Sequence, residues 1–190
     1  YWSTSPRILV CNLEAYGDND NIIEFNFDYF VDNWLKKVKG YNAKTATRTS
    51  KFIWGLLTAI NGEEVEINDF INLNEKAYIS SIKNVAYLNL RVDENIGTST
   101  KAEYGKIREQ FNETKGYLKD QIEKLNPQII IISSKLGCEL FNTCFNDCNL
   151  YYQTVKKWDY KVVCSIKHFS RSSNKEFYDS IRKIVSIFND

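Results

Sequence analysis

The only histidine of the chain, His168, stands in the polar run Lys167-His168-Phe169-Ser170-Arg171-Ser172-Ser173-Asn174. Histidine changes charge near neutral pH, so it can stabilise charge or move a proton where most side chains cannot. Three other segments carry residue types suited to chemistry. Glu14-Ala15-Tyr16-Gly17-Asp18-Asn19-Asp20 supplies carboxylates, which can orient water. Asn89 supplies a donor and an acceptor in one planar group. Ser133-Ser134-Lys135-Leu136-Gly137 is a turn of small and polar residues. Each of these segments follows an apolar run.

Those runs are the elements that must position the chemistry. Arg7 to Leu13, Val85 to Leu90, Gln128 to Ser133 and Tyr160 to Ile166 read as strands. The third is apolar on both faces, as a central parallel strand must be, and Pro127 before it favours an extended start. Helical spacing fills the intervals. Phe27, Phe30, Val31, Trp34, Leu35 and Val38 form one stripe, and Phe52, Ile53, Leu56, Leu57 and Ile60 a second. A long helix is expected from about Lys101 to Leu125, with Thr98-Ser99-Thr100 as its cap. Another begins near Ser134, and the last runs from Asn174, as N-cap, to Phe188. Asn149 to Asp159 reads as a small hairpin or an edge strand.

Strands alternating with helices imply a parallel sheet covered on both faces. The expectation is one domain over 1–190, a three-layer α/β/α sandwich around a four-stranded, mainly parallel sheet. In such sheets ligands bind beyond the carboxyl ends of the strands. The acidic loop, Asn89, the small polar turn and His168 therefore converge on one edge. Asp18, Asn19 and Asp20 read most simply as a solvated turn, and Lys36-Lys37 and Lys156-Lys157 as solvated faces.

Lys and Arg number 25 against 24 Asp and Glu, a net charge of +1. A protein held to nucleic acid by a broad phosphate grip would be more basic. The five cysteines, Cys11, Cys138, Cys144, Cys148 and Cys164, are odd in number and follow no common zinc or iron–sulfur spacing. Buried thiols with no metal and no cofactor are expected. The start, Tyr1-Trp2-Ser3-Thr4-Ser5-Pro6, has no signal-peptide pattern, and no apolar run has the length of a membrane span. A cytoplasmic protein without membrane contact is the expectation.

The chain resembles the uracil-DNA glycosylase superfamily in the order of its elements and in four short motifs. Glu14-Ala15-Tyr16-Gly17 is similar to the first motif, nearest the Glu-Ala-Pro-Gly form of the iron–sulfur branch. Tyr87-Leu88-Asn89 is similar to the strand whose Asn reads the flipped base. Asn126-Pro127-Gln128 through Gly137 resembles the Pro, apolar strand and small-residue turn. His168-Phe169-Ser170-Arg171-Ser172-Ser173 resembles the His-Pro-Ser loop that carries the catalytic His and enters the minor groove. Tyr16 and Phe169 stand where the family has Pro, Ala15 where its best-known branch has the catalytic Asp, and Ser172 at the wedge position, with Arg171 beside it. The cysteines that would hold the cluster of the iron–sulfur branch are absent from their places.

The resemblance implies a DNA glycosylase that flips a damaged or modified base and hydrolyses its N-glycosidic bond. Glu14 and His168 would be catalytic, Glu14 at the sugar and His168 at the leaving base. Tyr16, Phe27 and Asn89 would bind the base, with Phe25 a further stacking ring. Gly17, Ser170, Arg171, Ser172 and Ser173 would meet the DNA backbone. Two other readings stay open: a non-catalytic nucleic-acid, nucleotide or protein-binding module on the same fold, and a small-molecule enzyme acting on nucleosides or sugars.

Overall fold

A computed structural model describes residues 3, 5–16, 43–95 and 104–190. The sheet has five strands in the order β2-β1-β3-β5-β4. They are β1 (Ile8–Tyr16), β2 (Ala86–Asn95), β3 (Ile129–Ser133), β4 (Val155–Trp158) and β5 (Lys161–Ile166). β1 lies parallel to β2 and β3, and β3 parallel to β5, while β4 pairs antiparallel with β5. The expected four strands thus become five, and the sheet is mixed. The fifth strand, Val155-Lys156-Lys157-Trp158, is too short and polar to stand out as an apolar run. It needs pairing on one side only, and lysines on an outer strand discourage further pairing. Asp159, with φ 54°, turns the chain back between β4 and β5.

β1 and β2 run beyond their apolar stretches. Asn12 pairs with Asn89, Glu14 with Arg91 and Tyr16 with Asn95, with a register shift between Glu14 and Tyr16. Glu14, Asn89 and Arg91 therefore lie within strands rather than at their exits, because a ladder of backbone hydrogen bonds continues whatever the side chains are.

Six helices are described: α1 (Ala43–Ile60), α2 (Asp69–Asn72), α3 (Glu75–Ile82), α4 (Tyr104–Leu125), α5 (Lys135–Cys144) and α6 (Asn174–Asn189). The stripe from Phe27 to Val38 lies outside the described residues, as does Thr98-Ser99-Thr100. Strand side chains alternate between faces. Ile8, Val10, Ile129, Ile131, Val162 and Cys164 pack with Phe52, Ile53 and Leu56 of α1 and Phe177, Ile181 and Ile184 of α6. Leu9, Cys11, Ile130, Ile132 and Val163 pack with Ile107, Phe111, Leu118 and Ile122 of α4 and Leu136, Leu140 and Phe141 of α5. Every residue of β3 is buried, which is why its sequence is apolar without alternation.

Helix α6 is capped by Ser173, with Asn174 inside the helix rather than at its cap. The Ser173 hydroxyl accepts from the Glu176 amide and the Glu176 carboxylate accepts from the Ser173 amide. Two orphan donors are met reciprocally, which Asn174 could not achieve without a partner carboxylate three residues on.

All five cysteines are free thiols, buried except for half-buried Cys144. Burial pushes Cys144 and Cys148 up to about 11 and Cys164 up to about 12. No group of metal-ligating side chains occurs among the described residues. No described helix is long and apolar enough to cross a membrane.

Candidate functional site

The chain passes from β1 to β2 on one side of the sheet and later to β3 on the other side of β1. This reversal falls between β1 and β3, and open α/β sheets bind ligands beyond the carboxyl ends of the strands at such a point. Two polar residues meet there. The Ser133 hydroxyl donates to Oδ1 of Asn12 at 3.2 Å and lies 3.4 Å from the Cys11 carbonyl. Asn12 is half-buried, and its strand partner across β1 and β2 is Asn89, also half-buried. By alternation Asn12, Asn89 and Ser133 share the sheet face covered by α1 and α6. With Oδ1 of Asn12 taken by a donor, its amide nitrogen is left to donate.

The chain leaves β3 through Ser134, whose φ of 106° and ψ of 157° fall where side chains are rarely found. Its amide donates to the Ile166 carbonyl at 3.0 Å and its hydroxyl accepts from the Gly137 amide at 3.0 Å, capping α5. A side chain at Gly137 would come within 3.1 Å of that hydroxyl and 3.2 Å of Ile132, so it would push the cap aside by a few tenths of an ångström.

β5 ends at Ile166 and His168 follows, half-buried, at the head of a single 3-10 turn, Phe169–Arg171. Nδ1 of His168 lies 2.8 Å from the Ser170 hydroxyl and accepts from the Ser170 amide at 3.4 Å. A backbone amide only donates, so this contact favours a bare Nδ1 with the proton of the neutral ring on Nε2, while the hydroxyl fits either tautomer. Burial, then the charge of Arg171, holds the His168 pKa below its ordinary value. The ring is therefore poised at neutral pH as an uncharged N–H donor.

The turn is anchored from below. Phe169 is fully buried, with its ring edge-on to Phe52 at 5.7 Å and to Phe177 at 6.2 Å. From α1, Arg48 donates through Nε to the Phe169 carbonyl at 3.1 Å, through Nη2 to the Ser172 carbonyl at 2.6 Å and through Nη1 to Oδ1 of Asn174 at 3.1 Å. The guanidinium also lies 4.4 Å above the Phe177 ring. Lys167 forms an ion pair with Glu176, and the Lys167 ammonium, then the Ser173 amide, hold the Glu176 carboxyl below its ordinary range.

The expected site residues divide by this geometry. Asn89 lies inside β2, six residues short of its end and level with Asn12 and Ser133, whereas His168 follows the end of β5. β2 and β5 are three strand spacings apart, about 14 Å between backbones, a gap that two side chains and a planar ring between them can fill. Ser170 serves His168 directly. The Ser172 hydroxyl donates back to the Lys167 carbonyl at 3.3 Å, and the Ser173 hydroxyl caps α6, so both bond within the turn. Arg171 is exposed. Glu14 and Tyr16 are described by their backbone alone, in the last part of β1. Gly17, Phe25 and Phe27 lie outside the described residues. Sequence reasoning missed Asn12 and Arg48. Asn12 left a trace, a polar residue inside the run Ile8 to Leu13; Arg48 left none, being one of many cations. No protein-family model and no curated protein matches the chain.

Proposed function

We propose that the protein is a uracil-DNA glycosylase-like enzyme on a three-layer α/β/α sandwich. The observation that carries this reading is His168, held by Ser170 just beyond β5 with no partner on Nε2 among the described residues, on a sheet whose β1 and β2 carry the paired Asn12 and Asn89. A flipped base enters at the carboxyl ends of the strands. Asn89 reads its polar edge bidentately, with Asn12 beside it. As the bond between the sugar carbon and the base nitrogen breaks, the electron pair goes to the base and positive charge grows on the sugar. The Nε2–H of His168 stabilises the first without having to lose a proton, and the Glu14 carboxylate stabilises the second and orients the water whose oxygen adds to the sugar carbon. The exposed Arg171 and the turn around it face the DNA backbone.

A second reading, a base-binding module without chemistry, is favoured by Ala15 at the position of the family's catalytic Asp. Strand nicking separates the two. Labelled oligonucleotides carrying uracil, hypoxanthine, mismatched thymine or hydroxymethylated bases are incubated with protein and treated with alkali. Under the enzymatic reading one of them is cut, and His168→Ala slows cutting about 100- to 1,000-fold, the effect of losing one transition-state donor. Binding of DNA with no cutting of any substrate supports the second reading and overturns the first.

A further inference from the structure

We propose that Arg48 is the positioning residue that sets the tautomer of His168, by holding the turn from 168 to 174 in the shape that keeps the Ser170 amide on Nδ1. The argument starts from the planar peptide. The carbonyl of Phe169 and the amide of Ser170 belong to one rigid unit and point in opposite directions. Nε of Arg48 holds that carbonyl at 3.1 Å, so it aims the amide that reaches His168 Nδ1. The carbonyl of Ser172 and the amide of Ser173 form a second such unit. Nη2 of Arg48 holds this carbonyl at 2.6 Å, and the amide it aims meets Glu176 at 2.7 Å in the capping box. Nη1 takes Oδ1 of Asn174, the first residue of α6.

One guanidinium thus locks the His168 turn and the start of α6 into a single orientation. It does so from α1, which is itself seated on α6 through Phe52 and Phe177, 5.2 Å apart. The task needs a planar fork with several fixed donors; a lysine ammonium in the same place is a point donor and cannot hold two peptide planes and a carboxamide together. Without the fork the Phe169–Ser170 peptide can rotate and Nδ1 loses the one partner that can only donate; the Ser170 hydroxyl, 2.8 Å away, can donate or accept and fits either tautomer, so the proton distributes over both ring nitrogens. The consequence for base excision rests on the function proposed above, whereas the positioning itself does not.

The test uses the fact that the chain has one histidine, so a nitrogen-15 spectrum of the imidazole reports His168 alone. At pH 8 the wild-type protein is expected to show a protonated Nε2 and a bare Nδ1. Arg48→Ala and Arg48→Lys, each checked for folding by circular dichroism, are expected to draw the two nitrogen signals together as the tautomers mix. Gly116→Ala, on α4 across the sheet where an added Cβ meets nothing, should leave them apart. A folded Arg48→Ala or Arg48→Lys protein with the wild-type tautomer overturns the proposal; if the alanine variant does not fold, the lysine variant decides. If the wild type cuts DNA, Arg48→Ala should lower kcat about 100-fold, the scale of a misplaced catalytic group, with KM unchanged. Tautomer mixing in a protein that cuts nothing supports the positioning and removes only the glycosylase reading.

Discussion

Ser134 invites the most informative substitution, because its backbone and side chain pull stability in opposite directions. Its φ of 106° and ψ of 157° lie in a region that is nearly glycine-only, and holding another residue there costs about 1–3 kcal/mol. Its hydroxyl meanwhile caps α5 through the Gly137 amide at 3.0 Å. Ser134→Gly releases the strain. It gives back a few tenths of a kcal/mol for the cap and roughly 0.4–1 kcal/mol for the freer unfolded chain. The balance is a stabilisation of about 1 kcal/mol, a rise in Tm of about 2–4 °C for a chain of this size. Ser134→Ala keeps the strain and loses the cap, a loss of about 1 kcal/mol. The pair of variants should therefore lie about 2 kcal/mol apart on opposite sides of wild type. Urea unfolding at 25 °C, with unchanged m-values, reads both. A glycine variant no more stable than wild type would refute the account of the turn as strained.

Two further outcomes follow from packing and charge. A Cβ at Gly55 would lie 2.8 Å from Cε1 of Phe70 and 3.0 Å from Cδ1 of Ile181, so Gly55→Ala should destabilise by about 1–3 kcal/mol through overpacking, measured by thermal melts. Because burial and Arg171 lower the pKa of His168 in the folded state, the unfolded chain binds the proton more readily. Stability should be full above the unfolded value of about 6.5 and fall as pH drops below it towards the folded pKa. Urea melts at pH 7.5 and 5.5 should show this loss in wild type and not in His168→Gln, and an equal loss in both proteins would place its source elsewhere. Glu176 does not contribute in this window, since its carboxyl is held below its ordinary range.

The order of strands and helices was readable because apolar spacing is a local property. Ile129 to Ile132 is apolar without alternation because helices cover both faces of β3, and the stripe of α4 keeps helical spacing because only one of its faces is buried. The edge strand read within Asn149 to Asp159 is β4, though the count of four strands left it out. Where hydrophobicity did not mark the boundary, the reading failed: β1 and β2 extend past their apolar stretches into a ladder that backbone groups alone sustain. The choice of Asn174 over Ser173 as a cap failed for a related reason: a cap depends on the carboxylate three residues on as much as on its own side chain.

The residues themselves determined that His168 and the turn after β3 leave the carboxyl ends of strands, since direction along a parallel sheet follows from the order of elements; Asn89 lies inside β2. The tertiary structure alone decided that Asn12 joins Ser133, that the Ser170 amide meets Nδ1 of His168, and that Arg48 reaches the Phe169 carbonyl from 121 residues away. Periodicity records which side of an element avoids water. Which polar group meets which depends on the elements that the two sheet faces bring side by side, and that information exists only once the chain has packed.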